Sequence, residues 1–418
     1  RTAGIFSGGM ILHGKADRIR HTNWKELLSR RSTSESYWEL VRNMFLLPED
    51  YAYLNTGGLG AVPAMALERV KSDLTALGIY PKPGHDEKTW WEVKEKCAGL
   101  LHCKKEELAL TGSATEGINI ILQGLPLKKG DEIITSTHEH PALNIPLLNK
   151  MQKDGIVLKT FEPNRKDGLD NVSRIQALMT RRTRLLFISH ITCTTGQLFP
   201  VSEISRLAKE KAVWIALDGA QCTGNIPVDV KKYGVDFYAA SGHKWMLGPK
   251  RTGVLYVAGG VMEVLRPGTV GAYSDDGHDI VKKHLRFQPT AQRYEYATQN
   301  ETLFHGLGVS LDLIRIIGID KIWTRNREMA EMFYRGLKKM DRIRILSPEQ
   351  ELYRTSLITF KAAGIHYRDL ASHLMKKRFR VRVVPEANLE GIRVSFHLYN
   401  NEKEVQRLLA EIQNVLSL

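Results

Sequence analysis

A chain of 418 residues, 43% hydrophobic and 25% charged, has ordinary globular composition and is too long for one simple core, so it suits two domains. Its formal net charge of +14 raises nucleic acid as a partner. The basic residues are scattered, however, and the densest patches, Arg181-Arg182-Thr183-Arg184 and Lys376-Lys377-Arg378-Phe379-Arg380, come without a zinc-finger, homeodomain or RNA-binding signature, which leaves a solvated basic surface that attracts anionic ligands.

No apolar run after the N-terminus is long enough to span a bilayer, so neither a membrane nor a nucleic acid is expected as partner. The four cysteines, Cys97, Cys103, Cys193 and Cys222, form no CxxC pair, so neither a metal knuckle nor a disulfide framework is indicated.

The chain opens on a short apolar, glycine-bearing run, Ala3 to Leu12, followed by His13-Gly14-Lys15-Ala16. Two readings stand: the tail of an export signal of the twin-arginine type, or a disordered tail. The location is cytoplasmic, or periplasmic if residues 1–16 are that remnant. Residues 17–35 are polar and read as a linker. Ser36 is placed to cap a helix through Trp38–Phe45. Residues 51–55 read as extended and end in the turn Thr56-Gly57-Gly58. Ala64–Leu77 and Lys88–Leu101 read as amphipathic helices.

Leu108-Ala109-Leu110 leads into Thr111-Gly112-Ser113-Ala114-Thr115-Glu116-Gly117, a strand, a small-residue turn and a helix start. Free backbone N–H groups and the positive dipole end make such a place an anion site. Residues 132–135 are the next strand, followed by His138-Glu139-His140-Pro141. No third ligand stands at a convincing spacing from the two histidines, so a metal is not expected.

Arg184–Ser189 reads as a buried strand, Ser202–Lys211 as a helix, and Val213–Leu217 as a buried strand ending in Asp218. Val235–Ala240 is another, and Ser241-Gly242-His243-Lys244 follows it. In open α/β sheets ligands bind beyond the carboxyl ends of the strands, which is where Asp218 and Lys244 fall. Lysine condenses with carbonyls to give Schiff bases. Pyridoxal 5'-phosphate needs such a lysine and an acidic partner for its pyridine nitrogen. A carboxylate there keeps that nitrogen protonated, because an opposite charge favours the charged form.

Residues 253–257 read as an antiparallel return strand and 258–292 as loop. Glu301–Ile317 and Lys321–Met340 read as long helices. Short strands (344–346, 356–360, 381–384, 392–396) and helices (368–377, 402–416) then suit a compact α+β unit.

Asp218-Gly219-Ala220-Gln221, Val235-Asp236-Phe237-Tyr238 and Ser241-Gly242-His243-Lys244 together resemble the class V aminotransferases, a family with cysteine desulfurases, C–S lyases, kynureninase and isopenicillin N epimerase-like members. The resemblance runs from about Leu54 to the C-terminus. It implies the α/β fold type I of pyridoxal-phosphate-dependent enzymes, with a mostly parallel seven-stranded sheet in the large domain and a smaller C-terminal α+β domain. The divisions expected are 1–35 for tail and linker, 36–300 for the large domain with its N-terminal segment, and 301–418 for the small domain. A homodimer and a small amino-acid substrate are implied, with Gly268-Thr269-Val270-Gly271 reaching the partner's cofactor phosphate.

Carried over residue by residue, the resemblance makes Lys244 the covalent anchor and base, and Asp218 the partner of the ring nitrogen. It makes His140 a stacked ring that also shuttles protons. Gln221 is implied to bond the phenolic oxygen, Ala114 and Thr115 to contact the phosphate, and Ser241 and His243 to be further cofactor ligands. Arg393, in Ile392-Arg393-Val394-Ser395, is implied to hold the substrate carboxylate, and a guanidinium fork suits that task.

Three departures matter. Where desulfurases carry a nucleophilic cysteine, Val384 to Glu390 has none, which disfavours a persulfide relay. Cys193 stands where many desulfurases have Asn; it is read as a packed small residue, with a reactive thiol as the alternative. Arg293 to Asn300 resembles the family's RFEAGTPN with Ala297 for Gly and Gln299 for Pro, a variant nearer the C–S lyase and epimerase branches. The activity expected is therefore β-elimination or epimerisation at Cα. Transamination is an alternative, and so is a non-catalytic basic binding protein on the same scaffold.

Overall fold

The computed structural model describes residues 24–28, 34–84 and 86–417. The export-signal stretch, 1–16, and most of the expected linker lie outside the described residues. Within that linker Trp24–Leu28 is helical, and Leu28 is buried. The next helix is Glu35–Asn43, capped at Ser34 and not at Ser36. Ser34 has the extended backbone that an N-cap adopts, and its hydroxyl is 2.9 Å from that of Ser36.

After β1 (Ala52–Tyr53), seven strands build the large sheet: β2 (Leu108–Thr111), β3 (Glu132–Ser136), β4 (Val157–Phe161), β5 (Thr183–Ser189), β6 (Trp214–Asp218), β7 (Phe237–Ser241) and β8 (Gly253–Val257). Their order is β2-β8-β7-β6-β5-β3-β4, and β8 alone runs against the rest. Strands covered on both faces read as unbroken apolar runs, as Leu185-Leu186-Phe187-Ile188 does. Alternation then splits each run between two cores. Leu186 and Ile188 join Trp90, Ile204 and Leu311 on one face; Leu185 and Phe187 join Ile118, Ile121 and Leu147 on the other. This is the α/β architecture of fold type I, with its mostly parallel central sheet.

The stretch read as loop contains an antiparallel hairpin, β9 (Asp275–Asp279) with β10 (His284–Phe287). Its strands are mostly exposed; β9 is polar throughout and β10 alternates over only four residues, too little apolar pattern to read as a strand. Helices Glu301–Ile317 and Ile319–Leu337 lead to a four-stranded antiparallel sheet of β11 (Ile343–Ile345), β12 (Leu357–Ala362), β14 (Arg382–Val384) and β15 (Gly391–Ser395). Its core takes Phe333, Leu374, Leu408 and Ile412 from the covering helices. Among the described residues no single helix is long and apolar enough to cross a membrane.

The segment after Tyr51 ties the two sheets together. β1 pairs in parallel with β13 (Phe379–Arg380), and Ala52 and Leu54 are buried in the second core. The chain then crosses to the large sheet, where the Gly60 N–H donates to the His243 carbonyl at 2.8 Å. A Cβ on Gly60 would lie 1.9 Å from the Lys244 carbonyl oxygen, so no larger residue fits without moving the lysine's backbone.

Ala297 has φ 59°, in the left-handed region, with its N–H donating to the Ala272 carbonyl at 3.0 Å. An L-residue there costs roughly 1–2 kcal/mol, while a glycine costs about 0.5–1 kcal/mol of extra chain entropy on folding. Ala297→Gly is expected to stabilise the protein by up to about 1 kcal/mol, measured by thermal or denaturant unfolding. A loss of stability would show that the strain is not released.

Candidate active site

The carboxyl ends of the parallel strands converge on one cavity of about 180 Å³. Cα register aligns Ser189, Asp218 and Ala239 in a row across β5, β6 and β7. The cavity wall takes Ser113, Ala114 and Thr115 from the helix start after β2, and His140 and Ala142 from the turn after β3. It takes Asp218 and Ala220 from the end of β6, and Ser241, His243 and Lys244 from the end of β7. Gly57, Gly58, Arg382 and Arg393 close it from the side of the small sheet. Of the residues expected here, only Gln221 is off the wall. Its amide donates to the Gly57 carbonyl at 2.9 Å and accepts from Trp245 Nε1 at 2.9 Å.

Charge in this enclosure is shaped chiefly by burial. Lys244 is 9% exposed; burial pushes its ammonium down from the ordinary lysine range, and the Asp218 charge pulls it back up. Asp218 is raised by burial, opposed by Lys244 and by the Ala220 N–H, which donates to its Oδ1 at 2.9 Å. Arg393 is 1% exposed, and its guanidinium is pushed down to about 9 by burial and then by Arg382. Two donors fix it: Nη1 to the Cys193 carbonyl at 2.5 Å and Nη2 to Asn55 Oδ1 at 3.2 Å. Its Nε is buried without a partner. Gly57 must be bare, because a Cβ would come within 2.8 Å of Arg393 Nη2.

His140 differs from the expected proton shuttle. Burial, then the charges of Lys244, Arg382 and Arg393, push it down to about 3, so the ring stays neutral. Its Nδ1 accepts from the Ala142 N–H at 3.1 Å, capping the helix Pro141–Asp154, which leaves the proton on Nε2. His138 points elsewhere, to Thr194 Oγ1 at 2.8 Å and Glu162 Oε1 at 3.0 Å. The Cys193 thiol is buried and pushed up to about 11, so the residue packs, and its carbonyl orients Arg393.

The profile of the family described as aminotransferase class-V matches residues 84–408. The chain belongs to that family. It is 27% identical to a protein named probable cysteine desulfurase from Methanothermobacter thermautotrophicus, over 91% of this chain and 98% of that one. It is 28% identical to isopenicillin N epimerase from Streptomyces clavuligerus, over 89% and 96%. Among solved structures it is similar to the cystine C–S lyase C-DES in complex with cysteine persulfide (TM-score 0.81, 26% identity, 87% and 97% covered). It is also similar to a C-DES mutant with glycine covalently linked to the PLP cofactor (TM-score 0.82, 26% identity, 88% and 98% covered).

The donor set of this class-V member fits pyridoxal phosphate. A buried amine and a buried carboxyl share the cavity, and a helix N-terminus with small residues opens on it. His243 Nδ1, buried without a partner, is a spare polar atom at the same wall. Asn55, Arg382 and Glu139 were missed from the sequence. Arg382 alternates with Val381 and Val383 like any edge-strand residue, and Asn55 sits in a turn; neither has a local signature.

Glu139 lies behind the cavity. Its carboxyl accepts from Ser136 Oγ at 2.5 Å, from the Ser189 N–H at 3.0 Å and from the Ser189 hydroxyl. Burial still raises it to about 7. A folded-state value above the unfolded one means that the folded protein holds the proton more tightly. The resulting stability is full below about 4.5 and is lost as pH rises through about 7, roughly 3 kcal/mol in all. Glu139→Gln, which is never ionised, is expected to gain stability relative to wild type between pH 5 and 8. Thermal unfolding of both across that range checks it; a constant difference would mean that Glu139 titrates normally.

Proposed function

We propose that this protein uses pyridoxal phosphate to break bonds at the Cα of an amino acid, and that the reaction is β-elimination of a sulfur leaving group. The observation that carries this is the shared cavity of Lys244, Asp218 and Arg393. The cofactor, when bound, supplies a sink for the electron pair left at Cα. Asp218 is the carboxyl for the ring nitrogen, and a carboxylate there costs burial energy that only a cationic partner offsets. Ser241, His243 and the Ala114–Thr115 helix start would hold the phosphate, and the neutral His140 ring would cover one face.

Arg393 receives the substrate carboxylate through its fork. Lys244, lowered by burial, takes the Cα proton at Nζ. The Cβ–S bond then breaks with its pair leaving on sulfur. Hydrolysis of the released enamine gives pyruvate and ammonium from a cysteine-type substrate.

Elimination is favoured over a persulfide relay because Val384 to Glu390 has no cysteine and the Cys193 thiol is held protonated. It is set ahead of epimerisation on the likeness to the cystine C–S lyase among solved structures.

Lys244→Ala is expected to lose the visible absorbance of lysine-bound cofactor and at least 10²-fold in rate, while still binding the cofactor. Unchanged absorbance would refute the assignment. The holoenzyme with L-cysteine or L-cystine should yield pyruvate; inversion at Cα without pyruvate would make it an epimerase.

The active unit is read as a homodimer. The exposed Val270, Ile280, Val281 and Leu285 on and beside the β9–β10 hairpin support this. Sedimentation equilibrium should give twice the chain mass, and a monomer at micromolar concentration would contradict it.

A further inference from the structure

Behind Asp218 stands a second carboxyl. Glu139 is 1% exposed and directly precedes His140 in the turn after β3. Its side chain is tied to two strand ends, to the Ser136 hydroxyl on β3 and to the Ser189 hydroxyl and N–H on β5. Ser189 is in turn the Cα partner of Asp218 across β5 and β6, so these two side chains leave the same face of the sheet. Ser189 thus stands between Glu139 and the strand that carries Asp218.

A buried carboxylate is stable only with a cation or with hydrogen bonds that suit its charge. Glu139 has the second and lacks the first. Its partners are two hydroxyls and one backbone N–H, all neutral, and among the described residues no ion pair reaches it. The titratable groups packed around it are engaged elsewhere. His138 turns to Thr194 and Glu162, and His140 spends Nδ1 on the Ala142 N–H. His190 lies 3.2 Å from the Tyr238 hydroxyl, and burial pushes it down to about 3. Lys244 acts on Asp218. The charge that Glu139 meets is that of Asp218, and it is a like charge, so the two carboxyls titrate as a pair.

The three donors favour the ionised form of Glu139, while burial and Asp218 oppose it. Packing alone asks for less than this. The Glu139 carbonyl already accepts from Asn144 Nδ2 at 2.9 Å, which fixes the turn that presents His140, and a neutral amide would fill the same space as the carboxyl.

We propose that Glu139 is a positioning residue that acts through Asp218: by losing its proton it adds a second negative charge behind the cofactor's ring nitrogen and keeps that nitrogen protonated to higher pH. The proton from Glu139 goes to solvent, and the ring nitrogen keeps its own. This rests on Asp218 as the partner of the ring nitrogen.

The test uses holoenzyme reconstituted with pyridoxal phosphate isotope-labelled at the ring nitrogen. The nitrogen resonance is followed against pH, with infrared difference spectra reading the carboxyl. In wild type a protonated-carboxyl band should fade as pH rises through about 7, and Glu139→Gln should lack that band. The ring nitrogen is expected to lose its proton about one pH unit lower in Glu139→Gln than in wild type. Ser189→Ala removes one donor from the ionised carboxyl, so its band should fade about one pH unit higher than in wild type. The proposal is overturned if the ring nitrogen behaves alike in wild type and Glu139→Gln, or if the carboxyl band fades at the same pH in Ser189→Ala. Bound label with no such difference would sink this inference alone. Failure of the wild type to bind the labelled cofactor would take the Asp218 reading with it.

Discussion

The site depends on burying an amine. A lysine ammonium removed from water loses hydration that one carboxylate across a cavity only partly restores. Lys244 is in that position: burial lowers it, and Asp218 is the largest opposing influence. Asp218 is burdened in the same way, with Lys244 as its largest relief. Each is therefore drawn toward its charged form by the other, against the pull of burial. Such a pair is a poor structural device and a good chemical one. The rest of the fold keeps it from collapsing into a simple ion pair: the parallel strands fix where each backbone ends, and the bare Gly60 presses the chain against the Lys244 carbonyl.

The same constraint explains why the second sheet matters. Arg393 adds a third buried charge, and it is held by the Cys193 carbonyl from the turn after β5 and by Asn55 from the crossing segment. Three parts of the chain, far apart in sequence, thus set one guanidinium. This also gives Cys193 a physical role without its thiol. What positions the arginine is the backbone oxygen, so the side chain is free to be any small residue that packs.

Legibility followed the range of the interactions. Asp218 was readable as the first polar residue past an unbroken apolar run, and Lys244 as the lysine three residues past the end of the next buried strand; such strands in a parallel sheet end at one edge. Gln221 was placed on the wall by resemblance, yet its amide is spent on Gly57 and Trp245, a pairing made only in three dimensions. His140 was found, but not its low proton affinity, because that comes first from burial and then from Lys244 beyond β7 and from Arg382 and Arg393 on β14 and β15. Arg382 was invisible for a related reason. Its meaning lies in standing opposite Arg393, and register between β14 and β15 is not written in either strand.

The loop at Val384–Glu390 shows how an absence becomes informative once coordinates exist. From sequence it says only that no cysteine is present to take up sulfur. In the structure it holds a carboxylate against a second arginine, on backbone that non-glycine residues avoid. A loop built for sulfur transfer needs a nucleophile able to reach the substrate. What this loop brings to the site is a carboxylate held against Arg382, with its other oxygen unpartnered, so its contribution there is electrostatic and not nucleophilic.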